Sequence, residues 1–127
     1  MIDASALVDV LAGDRPSTGL LQRVSREPWH APHFIDLELL NSLRRLVLRN
    51  QITVELAASV QSDFSLITIS RYAHLGFRER IWELRDSMTA YDAAYIALAE
   101  ALDAPLVTTD TRLGRASGRR CVVEVFE

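Results

Sequence analysis

The stretch Leu106–Arg115, LVTTDTRLGR, decides how the rest of the chain is read. A run of apolar and β-branched residues suits a short buried strand. It ends on Asp110, and a helix-like turn follows. The same pattern opens the chain. In MIDASALVDVL, Asp3 directly follows Ile2, and Ala4, Leu7, Val8 and Leu11 then recur at helical spacing. Two strand ends that each carry an acid predict a sheet in which the acids meet.

Outward from these ends, strands and helices alternate. A helix is predicted from about Pro16 to Arg26, with proline well placed in its first turn. PWHAP is a short extended piece between prolines. A long helix follows from about Phe34 to Arg49, and another from about Thr53 to Phe64. SLITIS, residues 65–70, reads as a buried strand, and a helix is expected over roughly Tyr72 to Arg85. TAYDAAYIALAEAL, Thr89 to Leu102, is apolar almost all round, as in a helix buried on several sides. APLVTT is a strand, DTRLGR a short turn or helix, and CVVEVF the last strand. The alternation predicts a single α/β domain over residues 1–127 with a mostly parallel sheet. Met1–Asp3 is so short for a strand that a native start upstream of Met1 stays open.

Bulk properties bound the answer. A chain of 127 residues, 49% hydrophobic, fits one core. No apolar run reaches the roughly 18 residues of a membrane span. No charged segment followed by an apolar one marks a signal peptide. A soluble cytoplasmic protein is therefore expected. Cys121 is the only cysteine, which excludes an intrachain disulfide and suggests a buried strand thiol. The net charge of −3 argues against a simple basic nucleic-acid binder. All 14 basic residues are arginine. A GC-rich genome explains that most simply, although arginine's planar fork also suits phosphate.

In an open parallel sheet, ligands bind outside the carboxyl ends of the strands. Asp3 and Asp110 are both predicted there, and each is also placed to cap the helix after it. Asp92 lies in the first turn of the apolar helix. Thr89-Ala90-Tyr91-Asp92 resembles a capping box with Asp in place of Glu. A carboxylate at the start of a buried helix needs a partner or a cavity. On the long helix, Leu39, Leu40, Leu43, Leu46 and Val47 form an apolar face, while Glu38, Ser42, Arg45 and Arg49 form a separate stripe. That stripe is either a solvated face or one side of a site. Asp36 falls on the apolar side, where capping or a turn suits it better than a site. Clustered carboxylates repel one another unless a cation sits among them, and oxygen ligands suit Mg²⁺ or Mn²⁺. Such an ion polarises a phosphate and generates hydroxide from water. His30 and His33 lie on an irregular segment and His74 stands alone, so zinc is not expected.

With these acids in place, several stretches match a known family. MIDASALVDVL resembles its opening motif, an acid with a small hydroxyl residue, Ser5, two positions on. APHFIDLELLNSLRRLV resembles the second, in which a proline six residues before the acid selects Glu38 over Asp36. TAYDAAYIALAEAL is similar to the third and is the most specific piece. PLVTTDTRL resembles the fourth, with Thr108 two residues before Asp110. Over essentially its whole length the chain resembles the PIN-domain ribonucleases, especially the VapC toxins of bacterial type II toxin–antitoxin pairs.

The resemblance implies a PIN-like α/β/α sandwich whose acids Asp3, Glu38, Asp92 and Asp110 converge on Mg²⁺ or Mn²⁺. It implies endonucleolytic cleavage of RNA, a cognate VapB-type antitoxin whose tail covers the site, and commonly a homodimer. Ser5 and Thr108 are expected to orient a carboxylate or water. Arg45 and Arg49, with Arg112 and Arg115 on the other side, are candidates to guide the RNA backbone. The departure from the family pattern is the clipped first strand. The alternative is a catalytically inactive PIN-like scaffold acting in protein binding, against which the presence of all four acids argues. Receiver domains and haloacid-dehalogenase-like phosphatases fit less well, because each uses a lysine and this chain has none. Ala4-Ser5-Ala6 is also not the glycine-rich turn of a dinucleotide site.

Overall fold

The structure is a computed structural model that describes residues 1–13, 18–25 and 28–126. The elements run α1 (Ala4–Ala12), α2 (Thr18–Val24), β1 (Trp29–Pro32), α3 (Ile35–Leu48), α4 (Val54–Leu66) and β2 (Ile69–Tyr72). A 3₁₀ turn at Leu75–Phe77 leads into α5 (Arg78–Glu83). Then come α6 (Ala90–Leu102), β3 (Leu106–Thr108), α7 (Thr111–Arg115) and β4 (Val123–Val125). Pro16 and Arg26, the predicted limits of the second helix, lie outside the described residues.

β1 pairs in parallel with β2, and β3 in parallel with β4. The opening residues join these two ribbons. On one side, Val107 N donates to Met1 O at 2.9 Å and Asp3 N donates to Val107 O at 3.1 Å. On the other, Ile2 N donates to His30 O at 3.3 Å. Met1–Asp3 thus lies between β3 and β1, although only the Ile2–Val107 pair forms a ladder contact, also parallel. The expected first strand is an isolated bridge at Ile2, because the chain turns into α1 at Ala4.

Burial explains the positions of the helices. Ala93 to Ala99 on α6 are all buried, as its nearly all-round apolarity predicted, and α6 packs against β1, β3 and α5. α1 packs against α3 and α4. Gly114 lets α7 lie close on β4, since a Cβ there would meet Val125 Cγ2 at 2.7 Å. Among the described residues no helix is long and apolar enough to cross a membrane.

Several boundaries moved. Ser65 and Leu66 finish α4, and the strand expected at SLITIS begins only at Ile69 and runs to Tyr72. Tyr72 is therefore not the start of a helix, and only Arg78–Glu83 is α-helical in that region. PWHAP is a true strand, because it has a partner in β2. On α3 the buried stripe is Ile35, Leu39 and Leu43, while Leu40 is exposed. Cys121 is half-buried and precedes β4 instead of lying within it.

The central position of Ile2, 0% exposed, makes it a test of the fold. Ile2→Ala should cost about 2–5 kcal/mol in chemical denaturation, because it leaves a cavity between the two ribbons. Leu37→Ala, at a position 69% exposed, should stay within about 0.5 kcal/mol of wild type.

Candidate active site

The site begins with Asp3, a carboxylate buried at the end of the central bridge. A buried charge persists only when hydrogen-bonded. Asp3 Oδ1 accepts from Ser5 Oγ at 2.7 Å and from Ala6 N at 3.0 Å, and Oδ2 accepts from Thr108 Oγ1. The bond to Ala6 N makes Asp3 the N-cap of α1. Both hydroxyls are themselves held by backbone. Thr109 N donates to Ser5 Oγ at 3.3 Å, and Asp110 N to Thr108 Oγ1 at 2.9 Å. The expectation that Ser5 and Thr108 orient a carboxylate has its counterpart here: the carboxylate is Asp3.

Asp110 follows β3 and caps α7, accepting from Arg112 N at 2.9 Å. Glu38 projects from the first turn of α3, where Tyr95 Oη donates to its Oε1 at 2.6 Å. Asp92 lies in the first turn of α6, and its N–H donates to Thr89 Oγ1 at 3.2 Å. That is the forward half of the capping box. Capping and site formation are therefore not alternatives for Asp3 and Asp110; the same carboxylates do both.

All four acids line one cavity of about 250 Å³, together with Ser5, Asn41, Ser42, Arg45, Tyr95 and Arg112. Beside it runs a groove of about 390 Å³, where Arg49 joins Ser5, Ser42 and Arg45. The stripe from Glu38 to Arg49 on α3 thus leads from the acids into this groove. Thr108 stands behind Asp3, and Arg115 is exposed at the end of α7. A larger apolar groove of about 790 Å³ lies elsewhere, between Phe34, Trp82 and Tyr91. It offers no comparable set of acids.

Electrostatics separate the acids. Burial pushes Asp3 above the usual carboxylate range, against the pull of its bonds to Thr108, Ala6 and Ser5. Burial also raises Glu38, helped by the charges of Asp3 and Asp92 and opposed by Tyr95. Asp92 is raised by burial and by the charge of Asp110. Asp110 alone is lowered, because the Arg112 guanidinium bonds to it. Desolvated like charges disfavour ionisation, and a cation among them would reverse that.

Among the described residues, no three acid, histidine or cysteine side chains already stand together to hold an ion. Asp3, Glu38 and Asp110 each have an oxygen bonded to a protein donor. The donor set is nonetheless all oxygen, which suits a hard divalent ion.

Asp36 takes no part. Its two oxygens accept from Arg71 Nε and Nη2, both at 2.7 Å, on the side of α3 next to β2. It does not cap α3 either, where Phe34 is the N-cap without a side-chain bond. Tyr95 was missed in the sequence. Its signal was present, because it lies three residues after Asp92 on the same helical face.

A family model described as PIN domain matches residues 1–119. Ribonuclease VapC1 of Mycobacterium tuberculosis is 40% identical, covering 98% of this chain and 96% of that protein. Ribonuclease VapC9 of the same species is 37% identical over the same shares. A protein of known crystal structure from Pyrobaculum aerophilum superposes with a TM-score of 0.63 at 24% identity, covering 96% of this chain and 87% of that one. That last likeness concerns the fold. The extent of the match and these relatives together lead to one conclusion: the chain belongs to the PIN-domain family, and within it to the VapC proteins.

Proposed function

We propose that this chain is a Mg²⁺- or Mn²⁺-dependent endoribonuclease, the toxin half of a toxin–antitoxin pair. The observation that carries the reading is the meeting of Asp3, Glu38, Asp92 and Asp110, from separate segments, around one cavity of about 250 Å³. Relatives across nearly the full chain bear the name ribonuclease. The same reading includes a VapB-type antitoxin and a homodimer.

The four acids are the residues that would hold the ion. When bound, it would polarise the scissile phosphate and supply hydroxide near neutral pH. The chain's own residues do the rest. Ser5 and Thr108 fix the Asp3 carboxylate from both sides, so it has little freedom to turn away. Tyr95 holds Glu38 toward the cavity. Arg45 and Arg49 line the adjoining groove and would bind the RNA backbone. Arg115, exposed at the end of α7, is not among the residues that line this groove.

Purified protein should cleave RNA with Mg²⁺ or Mn²⁺ and lose that activity in EDTA. Full activity in EDTA would overturn the mechanism. Glu38→Gln should remove cleavage while leaving the protein folded, whereas Asp36→Asn should retain it, since Asp36 is bound to Arg71 away from the cavity.

Glu38→Gln also carries a sign for stability. The folded-state pKa of Glu38 lies above its ordinary 4.5, so ionised Glu38 destabilises the metal-free fold at neutral pH. The penalty fades as pH falls through the raised value, and it is gone below about 4.5, where both states are protonated. Without metal, Glu38→Gln should therefore melt higher than wild type near pH 7. The difference should shrink on acidification, as read by thermal denaturation across pH.

RNA binding should be salt-dependent, with a log–log slope of about −0.7 per phosphate contact for a single strand. Arg45→Ala with Arg49→Ala should weaken binding and flatten that slope. An unchanged slope would place the RNA path elsewhere.

A further inference from the structure

One member of the cavity wall is not an acid and sits directly on one. Arg112 Nε donates to Asp110 Oδ1 at 3.1 Å, and Nη2 donates to Oδ2 at 2.8 Å. Both oxygens of a candidate ligand are thereby occupied by a single guanidinium, whose fork matches a carboxylate. Its charge also acts on Asp92 across the cavity. Arg45, the other arginine of this cavity, instead donates to Ser42 Oγ at 3.3 Å.

Resting on the metal-site reading above, we propose that Arg112 is the resident countercation of the acid cavity, competing with the divalent ion for Asp110. Four acids around one cavity favour whatever positive charge can reach them. Arg112 reaches it from only two residues along the chain and is 82% exposed, so it gives up little packing when it swings away. An exposed ion pair is weak, which a divalent ion can displace. The cap of α7 survives the exchange, because it uses the backbone N–H of Arg112 and not the guanidinium. Arg112 thus sets how readily the site loads without being a ligand itself.

The test is Mn²⁺ titration by calorimetry, without RNA, on wild type, Arg112→Gln and Arg115→Gln. Arg112→Gln should bind Mn²⁺ about fivefold more tightly, the range an exposed ion pair supports. Arg115→Gln removes the same charge from the same short helix, where among the described residues it pairs with no acid of the cavity, and its affinity should stay near wild type. Unchanged or weaker binding by Arg112→Gln would overturn the competition while leaving the metal site standing. Equal tightening by Arg115→Gln would also overturn it, since the effect would then be one of net charge. Absence of Mn²⁺ binding in wild type and Arg112→Gln alike would overturn both this inference and the metal reading beneath it.

Discussion

The rest of the site depends on one hydrogen-bonded carboxylate, Asp3. It is 6% exposed and stands at the end of the opening residues that lie between β3 and β1. Burial of an ionised group is costly unless donors meet its oxygens. Here Ser5, Ala6 and Thr108 supply them, and two of these donors are in turn anchored by the backbone of Thr109 and Asp110. The network therefore also fixes the start of α1 relative to the end of β3. That relation brings Asp110 to the same cavity as Asp3.

The other acids are each restrained by a different device. Glu38 is held by a phenol, Asp92 by the turn that begins its helix, and Asp110 by a guanidinium. All four lie at or near helix N-termini, where the backbone dipole favours negative charge. Burial still holds Asp3, Glu38 and Asp92 above the usual carboxylate range, so this support does not fully offset it. The fold holds a charge arrangement that is unfavourable by itself, which is common where a site serves chemistry rather than stability.

Asp36 and Glu38 show how two similar residues on one helix come to different ends. Two positions on a helix separate side chains by more than half a turn. Glu38 faces the cavity and Tyr95, while Asp36 faces β2 and closes a two-point ion pair with Arg71. Half exposed, that pair contributes little to stability after solvent screening. The stripe that continues from Glu38 through Ser42 to Arg45 and Arg49 gives the cavity an extended, positively charged exit.

Much was legible in the sequence because it is local. Helical spacing located α1, α3, α4 and α6, and the capping preferences of Asp3, Thr89 and Asp110 marked the starts of α1, α6 and α7. Asp3 and Asp110 stood out because each follows a strand, Asp92 because it opens a helix, and Glu38 because it heads a polar stripe and matches the family's second motif. Other features were decided only in three dimensions. Met1–Asp3 became a bridge and PWHAP a strand because a strand is defined by its partner, which no local pattern contains. SLITIS split between α4 and β2 because short apolar runs satisfy both helix and strand. Tyr95 on Glu38 and Arg71 on Asp36 join residues far apart in the chain, so only the packing of α3 against its neighbours could pair them. The sequence by itself determined which side chains carry the charge. The tertiary structure decided which of them meet, because a carboxylate's partner is set by distance in space and not along the chain.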